Sequence, residues 1–191
     1  MTTTKKGDKL YLNSIQLKGK SAPSWNSIPE DVWRTILSEF FFKLADSFGF
    51  ITVIEKKDLF PKGLHFFKSW QLDNLGLVEV QNDIVCKFQL NENCKHKLIE
   101  NEFAVHQNGM MPPRDYRDFD EQLYYYEFDE LYFFAEDRLI GIFINHEDTI
   151  EFRNLNEKEI SVLNLLDQKI GIDIIDEVDF RRAIEGKHSE L

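Results

Sequence analysis

Cysteine is scarce: Cys86 and Cys94 are all that the 191 residues contain, too few for a disulfide framework. One bridge between them stays open on spacing, but free thiols in a reducing, cytoplasmic setting are the expectation. The basic start, Lys5 and Lys6, is followed by no apolar stretch of the kind a signal peptide needs. The longest apolar candidate for a membrane span, residues 40–54, is broken by Lys43, Asp46 and Ser47. Positive charge is also short, with 23 basic against 34 acidic residues and a net of −11. That balance argues against non-specific binding to nucleic acid through bulk charge. There is no Gly-x-Ser-x-Gly, no phosphate-binding loop and no dinucleotide fingerprint, so no catalytic residue and no cofactor is expected. Cys86, Cys94 and His96 lack a Cys-x-x-Cys pair, and Asp118, Asp120 and Glu121 lack the spacing of a calcium loop, so no metal is expected either.

What is abundant is phenylalanine, 17 copies, in a chain long enough to bury a core without staples. Charge is unevenly placed. Residues 1–20 carry a net of +4, residues 21–90 a net of −2, and residues 91–191 a net of −13. Such asymmetry predicts subregions with different surfaces: a strand and linker over 1–28, a region over 29–90, and an acidic α+β region over 91–191.

Ser27, Pro29 and Glu30 predict a capped helix start, followed by an apolar stripe of Trp33, Leu37, Phe40, Leu44 and Phe48, with Gly49 as the stop. A strand is predicted over 50–54, a helix over 62–72, and a hairpin from 77–80 and 84–90. A helix is expected over 94–103. From Leu131 a β-meander is predicted: 131–134, 139–144 and 149–152. In its middle strand Leu139, Gly141 and Phe143 would share one face, and Ile140, Ile142 and Ile144 the other. Apolar residues on both faces imply a central strand. Asn156 to Gly171 reads as a second capped helix, and Asp176 as the cap of a third.

The run Phe66-Phe67-Lys68-Ser69-Trp70-Gln71-Leu72-Asp73-Asn74-Leu75-Gly76-Leu77-Val78-Glu79-Val80, followed by Ile84-Val85-Cys86-Lys87-Phe88, resembles a winged helix, a helix-turn-helix variant with a β wing. The resemblance spans residues 29–90 and is one of element order. It implies a winged-helix-like N-terminal half followed by a β-meander with flanking helices. It also implies a nucleic-acid face made of Lys62, His65, Lys68 and Gln71, with Lys87 on the wing reaching a phosphate. That helix carries two Lys and no Arg in a region of net −2, which is little charge for a DNA binder.

Between Asp118 and Asp137 there are eight acids and no Lys or Arg, interleaved with aromatic residues. Carboxylates steer a basic partner and rings anchor it, which makes Asp118, Asp120, Glu121, Tyr124, Tyr126, Glu127, Asp129 and Glu130 candidate partner-binding residues. The same alternation fits a solvated strand whose aromatics point into a core. The function expected is an acidic, non-enzymatic protein-binding protein, such as an immunity or inhibitor protein neutralising a basic toxin. The alternative is a winged-helix DNA-binding transcriptional regulator.

Overall fold

Between Glu130 and Phe152 both alternate sets of side chains are largely apolar, so this segment needs cover on two faces and forms the middle of a sheet. It supplies β5 (Glu130–Ala135), β6 (Arg138–Ile144) and β7 (Thr149–Phe152), antiparallel in succession. The structure, a computed structural model, describes residues 9–13, 28–51, 73–100, 130–144, 149–171 and 174–188. The remaining strands are β1 (Leu10–Asn13), β2 (Ser47–Ile51), β3 (Asn74–Val80), β4 (Asp83–Gln89) and β8 (Ile175–Asp176). They make one eight-stranded sheet in the order β3-β4-β2-β5-β6-β7-β1-β8, with every neighbouring pair antiparallel. The chain is therefore mixed α+β. Its N-terminal strand, its middle stretch and its acidic stretch all enter the same sheet.

The first helical segment is α1 (Glu30–Ile36), a π-helical turn (Leu37–Phe41) and α2 (Phe42–Leu44). Its Trp33, Ile36, Leu37, Phe40 and Phe41 are buried, as the apolar stripe requires. Two details differ from the sequence reading. Pro29 is the N-cap itself and makes no side-chain cap, so the helix starts two residues late. It also stops at Leu44, because Ala45 turns extended and the chain enters β2. Phe48 therefore belongs to a strand. Its spacing from Leu44 suits a helix, but its spacing from Phe50 suits a strand equally well, and both rings lie in the core. Gly49 between them is no helix stop. A Cβ there would lie 2.5 Å from Val85 Cγ1 and 2.7 Å from the Cys86 carbonyl oxygen, so only glycine lets β2 and β4 pair this closely.

A bulge alters the predicted faces of β6. Phe133 pairs with Gly141 and Phe134 with Leu139, so Ile140 is the extra residue. Ile140 and Phe143 consequently join the helix-covered core, while Leu139, Ile142 and Ile144 lie with the smaller cluster on the opposite face. The Ile140 carbonyl accepts from the Arg153 N–H at 3.0 Å, one step beyond the Gly141–Phe152 pair of the β6–β7 ladder. Beside the bulge, Gly141 leaves space for the Phe41 ring; a Cβ there would overlap Phe41 Cε1 and Cζ. Phe41 stacks on Phe133 at 4.5 Å and on Phe152 at 5.7 Å, with Phe143 edge-on at 5.5 Å. Burying one phenylalanine contributes about 2–3 kcal/mol. Glycine inside a strand costs up to about 1 kcal/mol, so the seated ring more than offsets the glycine.

Helix α3 (Glu92–Glu100) is capped by Asn91, whose Oδ1 accepts from the Cys94 N–H at 2.9 Å, and it adds Cys94 and Leu98 to the core. Helix α4 (Glu157–Ile170) has the predicted cap: Asn156 and Glu159 bond each other's backbone reciprocally, and Gly171 closes it at φ 63. Glu159 also takes both Arg138 guanidinium nitrogens, at 2.9 and 2.6 Å, which ties the helix start to β6 and pushes the arginine's pKa up. Helix α5 (Glu177–His188) is capped by Asp176 Oδ1 and runs on through Gly186. Neither cysteine is in a disulfide, and both are buried. Among the described residues no helix is long and apolar enough to cross a membrane. The helix expected over 62–72 and the second half of the strand expected over 50–54 lie outside the described residues, and so does Ser27.

Gly141→Ala should cost about 3 kcal/mol by overpacking against Phe41. Gly171→Ala should cost about 1 kcal/mol, because only its left-handed backbone is at stake and nothing lies within 4 Å of the added carbon. Urea midpoints of the two variants check the ranking; equal costs would show that the ring does not sit on the glycine.

Candidate functional site

Strand alternation sends one set of side chains to the face opposite α1 and α4. One register line crosses this face: Gly76, Lys87, Gly49, Tyr132, Ile142, Glu151, Tyr11 and Ile175 are successive cross-strand partners. Its centre is apolar, with Val80, Val85, Tyr132, Phe134 and Ile142 buried together. Polar groups gather on either side of that centre.

At one side Glu151 is buried against Arg153, whose Nη2 donates to Oε2 at 2.5 Å. Lys9 Nζ stands 3.6 Å from Oε1, and Oε1 itself accepts no hydrogen bond among the described residues. With its side-chain amide oriented to satisfy both groups, Gln81 in the β3–β4 turn accepts from Arg153 Nη1 at 2.6 Å and Nη2 at 2.9 Å. The turn therefore reaches back over the sheet face, and Arg153 clasps it to β7. Tyr11 lies beside Glu151, and its ring stacks on Phe180 of α5 at 4.3 Å. Burial, then the charge of the neighbouring Glu151 carboxylate, push the Tyr11 pKa up. Tyr132 donates to Glu130 Oε2, and burial followed by that bond push its pKa up too. Chemically this is a clasp that fixes one ion pair and keeps two phenols protonated.

At the other side, Lys87 Nζ donates to the Glu136 carbonyl at 2.9 Å and to Asp137 Oδ1 at 3.1 Å, and lies 5.0 Å over the Phe134 ring. Asp46 holds the same turn: its Oδ2 accepts from the Glu136 N–H at 2.5 Å, and its Oδ1 from Ser47 at 2.7 Å. Glu136 sits at φ 57, and the Glu136 and Asp137 side chains stand in solvent.

Of the candidate partner-binding residues, only Glu130 is described; it is half-buried and bonded to Tyr132. Asp118, Asp120, Glu121, Tyr124, Tyr126, Glu127 and Asp129 lie outside the described residues. So do Lys62, His65, Lys68 and Gln71 of the nucleic-acid reading, while Lys87 is held by Asp137, Glu136 and Phe134 as above. Tyr132, Phe133 and Phe134, the aromatic end of the acidic segment, are buried. Sequence reasoning missed the Tyr11–Glu151–Arg153–Gln81 cluster. The signal was present in Glu151, an acid at an inward-alternating position of a central strand. Among the described residues no three His, Cys, Asp or Glu side chains gather as a metal site would need.

Glu151→Gln should cost about 3 kcal/mol, since it leaves the Arg153 guanidinium buried without its counter-charge. Replacing the pair by Leu and Met should recover most of that loss, and urea denaturation of both variants checks the difference. Alkaline pH gives a second test. The folded-state pKa values of Tyr11 and Tyr132 are raised, so the stability they lend is complete below the unfolded phenol value of 10.0 and falls as pH rises above it. The double Tyr→Phe variant should lose less stability between pH 9 and pH 11 than the parent, about those same flanks of the phenol pKa.

Compared with protein-family models, curated proteins and solved structures, the chain matches none.

Proposed function

We propose that the chain is a non-enzymatic, acidic protein-binding protein that occludes a basic partner, as an immunity or inhibitor protein neutralising a basic toxin would. One observation carries this reading: the net charge of −13 over residues 91–191, with Glu136 and Asp137 in solvent at a turn held by Asp46 and Lys87. Carboxylates on a fixed turn between two central strands lose little freedom when they meet a cation, so less of the attraction is offset by ordering. The summed field draws a basic surface in before contact. Asp118, Asp120, Glu121, Tyr124, Tyr126, Glu127 and Asp129 extend the proposed surface. Glu130 belongs to it in sequence, but its carboxylate is engaged by Tyr132.

The β3–β4 hairpin supports a second reading, a winged-helix DNA-binding regulator in which Lys62, His65, Lys68 and Gln71 face the groove. Lys87 adds little to it while Asp137 neutralises its charge.

Capture from a lysate in low salt separates the two. A stoichiometric protein that survives nuclease treatment is the expected result; nucleic acid that disappears with nuclease would turn the assignment to the regulator. With the captured partner, Glu127→Lys, Asp129→Lys and Asp137→Lys together should slow association about tenfold or more and flatten its salt dependence. Unchanged association would refute the acidic surface.

A further inference from the structure

Among the described residues β3 stands at the end of the sheet, paired on one side with β4. Val80 and Asp83 flank the two-residue turn and form the closing pair of the hairpin. In an antiparallel ladder, hydrogen-bonded pairs alternate. The N–H and C=O groups of Val78 and Val80 therefore face β4, and those of Leu77 and Glu79 face outward. The side chains on this strand are unusual for an edge: Leu77 is 66% exposed and Leu75 51%, and Glu79 is exposed beside them.

Proteins blunt edge strands with lysine, proline or a bulge. Residues 73–80 hold no lysine and no proline; their charges are Asp73 and Glu79. Among the described residues the protective device is the irregularity between Asn74 and Gly76. There Gly76 takes φ 103, and its N–H donates to Asn74 Oδ1 at 2.7 Å. It deflects the start of the strand and leaves the stretch from Leu77 to Val80 regular. A second copy of the chain would set a net charge of −11 against −11, with Glu79 brought close to its own duplicate. An extended segment rich in Lys or Arg has the opposite sign and suits the acids that flank the leucines.

We propose that the outer edge of β3 is a docking site for an extended, basic segment of a partner protein. The segment would add a strand to the sheet, lay an apolar side chain on Leu77 and set cations against Glu79 and Asp73. Backbone hydrogen bonds would supply affinity, and the Leu–acid pattern would supply selection. This rests on the basic-partner reading above and adds to it a separate surface and a binding geometry.

The test uses the full chain and a fluorescent peptide that repeats Val-Thr-Lys-Thr, so that Val and Lys alternate along one face of the added strand as Leu77 and Glu79 do along β3, read by anisotropy. Two controls accompany it: the same peptide with Asp in place of Lys, and the Lys–Val peptide with alternate backbone amides N-methylated. Binding of the Lys–Val peptide alone is expected. Leu77→Lys, at a position 66% exposed where little packing is lost, should weaken it about tenfold or more, an effect of at least about 1.4 kcal/mol. Glu79→Lys is an independent variant and should shift preference toward the Asp–Val peptide. Binding that ignores N-methylation and both substitutions overturns the edge while leaving an acidic protein that holds cations. Failure of the peptide to bind, with a lysate partner still captured, overturns the edge alone; failure of both overturns the basic-partner reading as well. A concentration-dependent dimer in sedimentation, lost in Leu77→Lys, would assign the edge to a second copy and reject the proposal.

Discussion

The seating of Phe41 on Gly141 organises the molecule. A π-helical turn sets Phe40 and Phe41 both into the core, edge-to-face at 5.1 Å. Phe41 then touches rings from three strands, Phe133 of β5, Phe143 of β6 and Phe152 of β7, and each such pair adds about 0.5–1.5 kcal/mol beyond burial. Contact this close forbids a side chain at position 141. The bulge at Ile140 adjoins that glycine, and the Ile140 carbonyl accepts from the Arg153 N–H. Arg153 is thereby fixed where its guanidinium meets Glu151 and Gln81. Packing on one face thus sets the position of the ion pair on the other.

The two faces are held by different physics. The helix-covered face is aromatic and aliphatic, and any volume change there is felt directly. The opposite face interrupts a smaller apolar cluster with charges that are costly to bury unless paired. Arg153 with Gln81, and Lys87 with Asp137, each join groups far apart in the chain to the same sheet face. Such pairs specify where the β3–β4 turn and the β5–β6 turn lie, which a greasy surface alone would leave loose.

Much of this was legible in the residues. Asn156, Glu159 and Gly171 announced α4 because a capping box and a left-handed stop are local chemistry. The meander was legible because β6 is apolar on both alternations. The end of the first helix was not, since Leu44, Phe48 and Phe50 satisfy the helical and the strand period at once, and pairing with β4 and β5 decides between them. Ile140 was misplaced because a bulge depends on what packs nearby, here a ring that arrives from the helix. The Glu151 clasp was hidden for the same reason: its partners, Tyr11, Gln81 and Lys9, come from remote segments. The acidic surface was visible as composition, yet Tyr132, Phe133 and Phe134 at its end turned inward as core.

The strand order has a consequence in time. β1 (Leu10–Asn13) lies between β7 and β8, so this strand, which precedes the other described ones in the chain, has no neighbour until residues 149–152 have been made. The turn-linked pairs β3–β4 and β5–β6 close across two residues each and can form as they emerge. β1 must instead wait through most of synthesis and then insert between two late strands, closing the longest loop in the sheet. Contacts of such separation make folding slow. Until that insertion, Leu10 and Leu12, which end in the core, stay exposed to other chains and to chaperones.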